Sequence, residues 1–326
     1  MTAQASQETR VAAITTGLDR LKRSLHPDPR ATGPDAVHEP PWNSAYVAHA
    51  DPAPAITARM ADFGYSTDEL HGRAGIRDDL AMAGPIQLLT SDGAQALRAI
   101  CRGLKPYAPH NDYVVSHRLR GVEALSPFVH AMARDPGFLH AVSGVVGVPL
   151  IPHPLRDAGV QINYYGPPSD PTQAAPVAKW HLDGMNYVFT MTLSDHEEHA
   201  GGDYIYYRGH PRDFDTRRAE ITAKGPAHAQ VHTAPFQHVG DTMFTRGSRV
   251  YHAVTPVTRG DRITLAVSLF CPVLGRQDEN RFWHSAPDDG LLRTMNNWRK
   301  LHQAIRRPAT YCRRERIPIL PIAPGG

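Results

Sequence analysis

Val160-Gln161-Ile162-Asn163-Tyr164-Tyr165 opens a stretch in which the texture of the chain changes. From here to residue 270, short β-type runs follow one another, broken by Gly, Pro and Asp. They are Tyr187–Leu193, Asp203–Tyr207, Gln230–Thr233, Thr242–Phe244, Arg249–Val254 and Ile263–Phe270. Short runs at this spacing, with no helical pattern between them, predict an antiparallel sandwich or barrel rather than βαβ units. In the first run Gln161, Asn163 and Tyr165 share one side by the period of two.

Upstream, Pro85–Thr90 reads as a strand, and Ser91 or Asp92 as the cap of a helix running to about Leu104. Tyr113-Val114-Val115 is a short strand candidate. Helices are expected at 123–134 and 136–146, the second opening at Asp135-Pro136 and closing near Gly147. Residues 8–25 carry Val11, Ile14, Leu18 and Leu21 at helical spacing, and 26–60, rich in Pro, Ala and Asp, predict a surface wrap. Beyond 280 the chain turns helical (Asp288 to Arg307) and basic. The predicted organisation is one integrated domain in four parts. These are an N-terminal extension (1–84), a strand-and-helix support (85–157), the β core (158–275) and a basic helical extension (276–326).

At 326 residues and 41% hydrophobic the chain can bury one good core. A net charge of +3 demands no anionic partner. Cys101, Cys271 and Cys312 show no CxxC spacing, which predicts reduced thiols rather than a disulfide frame or a zinc site. With no apolar leader-type segment near residue 1 and no run of 18 apolar residues, a cytoplasmic protein without a membrane span is expected. The basic run Arg299, Lys300, Arg306, Arg307, Arg313, Arg314 and Arg316 lacks the aromatic interleaving of a nucleic-acid surface, so no nucleic-acid partner is expected.

Two imidazoles and a carboxylate can hold Fe(II) on one face and leave the other open to O2 and a co-substrate. Composition alone supplies about two His-x-acid triplets in such a chain. Those in this chain include His26-Pro27-Asp28, His110-Asn111-Asp112, His181-Leu182-Asp183 and His196-Glu197-Glu198. Context selects the third. His181 and Asp183 lie two apart in an extended segment, so they are expected to project from one side. His252 falls in a later strand, and Arg262 follows it by ten residues. Three strand positions converging on one ion make a stiffer site than a loop triplet. The polar His196-Glu197-Glu198-His199 reads instead as a hairpin tip.

The set His181, Asp183, His252, Arg262 and Thr264, with Asn163 and Tyr165 upstream, resembles the Fe(II)/2-oxoglutarate-dependent dioxygenase superfamily. The shared features are HxD…H, an arginine, a hydroxyl residue two positions later, and N-x-Y. The resemblance implies a double-stranded β-helix, a cupin-like jelly roll that is mainly β with flanking helices. It implies Fe(II) on His181, Asp183 and His252, with 2-oxoglutarate and O2 as co-substrates. The far carboxylate of 2-oxoglutarate would meet Arg262 and Thr264, and Asn163, Tyr165 and Gln161 would border it. The retained Asp183 implies hydroxylation or desaturation, since halogenases of this family place a small residue there. The stretch from Ser126 to Leu139, with Gly147-Val148-Pro149 after it, resembles the phytanoyl-CoA-hydroxylase-like branch.

The expected substrate is a small organic molecule of specialised metabolism, with Met185, Asn186, Tyr187, Arg208, Arg246 and Arg249 as candidate pocket residues. Two other readings stay open. One is a cupin-like oxygenase or isomerase that uses the metal without 2-oxoglutarate; the other is a non-catalytic jelly-roll binding protein. The oligomeric state is not legible.

Overall fold

A computed structural model of the chain describes residues 39–48, 54–70, 79–110, 117–167, 178–280 and 291–318. The helix expected at 8–25, the strand at 113–115 and the triplet at residues 26–28 lie outside these residues.

The strands are β1 (Ile56–Arg59), β2 (Leu80–Gln87), β3 (His117–Arg120), β4 (Ile151–Pro152), β5 (Val160–Tyr165), β6 (Ala178–His181) and β7 (Tyr187–Thr192). They continue with β8 (Ala200–Gly201), β9 (Tyr204–Tyr207), β10 (Val231–Thr233), β11 (Asp241–Arg246), β12 (His252–Val254), β13 (Val257–Arg259) and β14 (Arg262–Phe270). A major sheet has the order β1-β2-β11-β7-β14-β5-β3, with β4 also on β14, and a minor sheet has the order β10-β9-β12-β6. All pairings are antiparallel. Along the chain, β5, β7, β11 and β14 enter the major sheet while β6, β9, β10 and β12 enter the minor one. That interleaving is a double-stranded β-helix, or jelly roll, as expected.

Strand alternation gives the major sheet two unlike faces. Ile162, Tyr164, Ile263, Leu265, Val267, Leu269, Phe189 and Met191 belong to the main core. That core also takes Leu97, Ile100 and Leu104 from helix α1 (Ser91–Leu104), Phe128 and Val129 from α2 (Pro127–Met132), and Phe138 and Val142 from α3 (Pro136–Val146). The other face looks into the cleft beneath the minor sheet.

Several boundaries differ from expectation, each for a local reason. Helix α1 is capped by Thr90, whose hydroxyl accepts from Gly93 N–H. The helix expected at 123–134 is a 3-10 turn at Val122–Ala124 followed by α2, because Ser126 caps anew before Pro127. Helix α3 is capped by Asp135 and ends at Gly147 with φ +78°, as its sequence implied. A helix was not expected among the strands, yet α4 (Pro211–Lys224) joins β9 to β10. It buries only Phe214 and Ile221, so it lacks an apolar stripe. Beyond the β core lie α5 (Leu291–Arg306) and α6 (Pro308–Glu315).

Candidate active site

His252 and His181 are direct partners in the β12–β6 ladder, and their ring centroids lie 4.3 Å apart. The Nδ1 of His181 stands 2.7 Å from Lys179 O and that of His252 stands 2.9 Å from Val250 O. A backbone carbonyl only accepts, so each Nδ1 carries a proton, which leaves Nε2 as the ring nitrogen that can meet a metal. Asp183 lies between them, with Oδ1 3.5 Å from His181 Nε2 and Oδ2 3.5 Å from His252 Nε2. The three ligand atoms fall within 4.8 Å of one another, a set able to hold a metal ion. The Tyr204 ring stacks on His252 at 5.4 Å.

The triad departs from expectation in one respect. Asp183 is not on a strand, because β6 ends at His181 and Asp183 lies in the following turn. What holds it is backbone: Asp183 N–H donates to Gly247 O at 2.8 Å, and Gly247 N–H donates to Asn186 O at 2.9 Å. A Cβ on Gly247 would stand 2.5 Å from Asp183 Oδ2, so only glycine permits this approach.

The electrostatics follow from burial and from the mutual contacts. Burial holds His252 down to about 4, so it is neutral near pH 7. At His181 burial works the same way, but the Asp183 carboxylate outweighs it and the imidazole titrates above its ordinary range. Asp183 is pushed up by burial and, more strongly in sum, down by His252 and His181, so it stays ionised.

A second feature lies across the cleft on β14. Arg262 pairs with Tyr165 and Thr264 with Asn163 in the β5–β14 ladder, so these four side chains share one face. Arg262 is 2% exposed and Thr264 is fully covered. Neither terminal nitrogen of Arg262 nor Thr264 Oγ1 has a hydrogen-bond partner among the described residues. The Tyr165 ring lies 5.2 Å from the guanidinium carbon, and its hydroxyl neighbours both groups without meeting hydrogen-bond geometry to them. Burial holds the Arg262 pKa below its ordinary value. A Cβ on Gly202 would stand 2.9 Å from Arg262 Cδ, so the absence of a side chain there makes room for the arginine stem.

A buried guanidinium with two unused ends costs several kcal/mol unless an anion completes it. Two N–H ends and a neighbouring hydroxyl form a cradle matched to one carboxylate. The donor set thus fits a dicarboxylate that reaches from the metal to β14. Asn163 is half-buried on the same face, and the Gln161 side chain donates to Ala158 O at 3.1 Å.

The six candidate substrate residues have other partners. Asn186 bonds Asp278 and Ser248, and Tyr187 is fully buried against Phe244 with Arg246 over its ring. Met185 is buried in the main core, and Arg249 pairs with Glu279 at 2.7 Å. Arg208 lies half-exposed near Asp62. Arg249 and Arg208 thus face carboxylates distant in sequence, whereas Arg246 lies over an aromatic ring.

The sequence reading missed Arg118. It pairs with Asn163 in the β3–β5 ladder and so shares the cleft face. Its charge is felt at His181, Asp183 and Tyr165, less strongly than burial in each case. No pattern within His117–Arg120 could have revealed a pairing with β5.

No family model and no curated protein matches the chain. Among solved structures, HygX from Streptomyces hygroscopicus, with nickel and 2-oxoglutarate bound, is similar at 16% identity and TM-score 0.43, over 58% of this chain and 82% of that one. The non-heme alpha-ketoglutarate-dependent epimerase SnoN from nogalamycin biosynthesis is similar at 15% identity and TM-score 0.44, over 61% and 80%. A Pseudomonas putida prolyl-4-hydroxylase is similar at 14% identity and TM-score 0.38, over 58% and 91%. Of these neighbours, HygX holds 2-oxoglutarate and SnoN depends on it.

Proposed function

We propose that the chain is an Fe(II)- and 2-oxoglutarate-dependent oxygenase that hydroxylates or desaturates a small organic molecule. The observation that carries this reading is the pairing, in one cleft, of an open two-histidine, one-carboxylate set with the uncompensated Arg262–Thr264 cradle. His181 and His252 would bind the metal through Nε2, with Asp183 as the anionic ligand. Arg262 and Thr264 would hold the far carboxylate of 2-oxoglutarate, and Tyr165 and Asn163 would wall its carbon chain. Iron with 2-oxoglutarate supplies a two-electron oxidation of a C–H bond by O2, coupled to release of succinate and CO2. Asp183 keeps its ligand position occupied, which favours oxygen rather than halogen insertion. The cleft wall excludes bulk water from Arg262 and strengthens its hold on an anion. A cupin-type enzyme without 2-oxoglutarate would have no use for a buried arginine with free ends.

The test is succinate formation from 2-oxoglutarate by the iron-loaded protein. Uncoupled turnover without a prime substrate is expected to give slow, O2-dependent succinate, and Arg262→Ala is expected to need about 100-fold more 2-oxoglutarate to give the same rate. Succinate formation that is indifferent to Arg262 would count against this reading. No helix of the described residues is long and apolar enough to cross a membrane.

A further inference from the structure

Residues 278–280 lie after the β core, yet they reach back to both metal-bearing segments. Asp278 is 3% exposed. Its Oδ1 accepts from Asn186 Nδ2 at 2.9 Å and its Oδ2 from Cys271 N–H at 2.7 Å. Ser248 Oγ donates to the other end of the Asn186 amide, Oδ1, at 3.1 Å. From Asn186 the chain of contacts runs to the metal carboxylate: Gly247 N–H donates to Asn186 O, and Asp183 N–H donates to Gly247 O. The missing Cβ of Gly247 brings its backbone against Asp183 Oδ2. The next residue, Glu279, grips Arg249 through Nε at 3.1 Å and an NH2 end at 2.7 Å. Arg249 precedes His252 by three residues and is itself held by Tyr65, whose hydroxyl donates to Arg249 O at 2.8 Å. Asn280 then anchors the strap, with its Oδ1 2.6 Å from His153 Nε2.

We propose that this 278–280 strap braces, from behind, both the turn that carries Asp183 and the loop that leads into β12, and that Asp278, acting through Asn186, is the positioning residue that sets the Asp183 carboxylate. The inference rests on the metal site of the reading above but not on 2-oxoglutarate. Metal-ligating groups gain affinity from the partners that orient them, and losing such a partner typically costs about 10- to 100-fold. A carboxylate is required at 278 because both of its oxygens face N–H donors. An amide there would turn its own NH2 against one of them. Burial nevertheless pushes the Asp278 carboxyl up to about 7, so the position is held against an electrostatic cost.

The network can be rewired. In the double variant N186D/D278N the amide at 278 would accept from Cys271 N–H and donate to the new carboxylate at 186. That carboxylate would still accept from Ser248, so every bond is kept with one polarity reversed. The probe is Co(II) alone, whose visible absorption reports both affinity and coordination geometry. Asp278→Asn is expected to weaken Co(II) binding at least tenfold and alter the band shape, with the folded-state circular dichroism retained. N186D/D278N is expected to return to within about threefold of wild type. Ser248→Ala, a milder change, is expected to weaken binding about threefold. Should Asp278→Asn prove too unstable to titrate, the double variant and Ser248→Ala carry the test. Wild-type binding in Asp278→Asn and Ser248→Ala, or no recovery in the double variant, overturns the brace. A wild-type protein that binds no Co(II) overturns the metal site itself, a different outcome.

Discussion

Strand β14 carries two proteins in one. On its helix-covered side Ile263, Leu265, Val267 and Leu269 are buried among apolar neighbours. On its cleft side Arg262 and Thr264 are as deeply buried, but their polar ends lack partners. Equal burial thus means opposite things. On the covered side it contributes about 2 kcal/mol per large apolar side chain. On the cleft side it is a debt that the fold tolerates and a bound anion would settle. The side that holds the molecule together is satisfied, and the side that would act is left incomplete.

The largest expected effect tests the incomplete side. Arg262→Ala should raise the 2-oxoglutarate concentration needed for half-saturation about 100-fold or more, the usual scale for losing a desolvated charge pair. Its thermal midpoint should not fall, because the change removes an uncompensated buried charge. A marked loss of stability would show that Arg262 is structural and would break the comparison. On the covered side the expectation reverses. Leu265→Ala should cost about 2–5 kcal/mol of folding stability by denaturant titration, while the protein that remains folded binds metal as before.

Gly247→Ala sharpens the comparison at the metal ligand. The added methyl must displace both Asp183 and the Met185 carbonyl, which would stand 2.7 Å from it, so Co(II) affinity should fall about tenfold and the thermal midpoint should fall with it. Unchanged affinity would mean that the turn has slack. The smallest effect concerns a titratable group on the covered side. His153 packs against Phe270, and burial holds it down to about 4 from an ordinary 6.5. Between those values the unfolded chain binds a proton that the folded protein refuses. The contribution of His153 is therefore complete above pH 6.5, shrinks as pH falls toward 4, and levels off below. His153→Gln should flatten that acid limb in a pH series of thermal melts, and an unaltered slope would remove His153 from the account.

Much of this was legible in the sequence, and the limits have physical causes. The runs at 160–165, 187–193 and 263–270 were readable because half-buried strands alternate, and β5, β7 and β14 fall within a residue of them. Arg262 and Thr264 shared a face by the same period. Asp183 was misplaced onto a strand, since two residues two apart look alike whether a strand continues or turns. Helix α4 escaped because its exposed surface carries charge all round and so has no periodicity to read. The pairing of Arg249 with Glu279 could not be read, because the two are 30 residues apart. Arg118 and Asp278 were invisible for the same reason: each acquires its place only when distant strands or loops pair.

The central claim is that the triad and the β14 cradle serve one metal–2-oxoglutarate pair. Its most direct test is anaerobic addition of Fe(II) and then 2-oxoglutarate, followed by visible absorption. The account predicts a metal-to-ligand charge-transfer band that saturates with 2-oxoglutarate, vanishes in His181→Ala, and in Arg262→Ala appears only at far higher 2-oxoglutarate. Folded wild-type protein that gives no band at saturating Fe(II) and 2-oxoglutarate would contradict it.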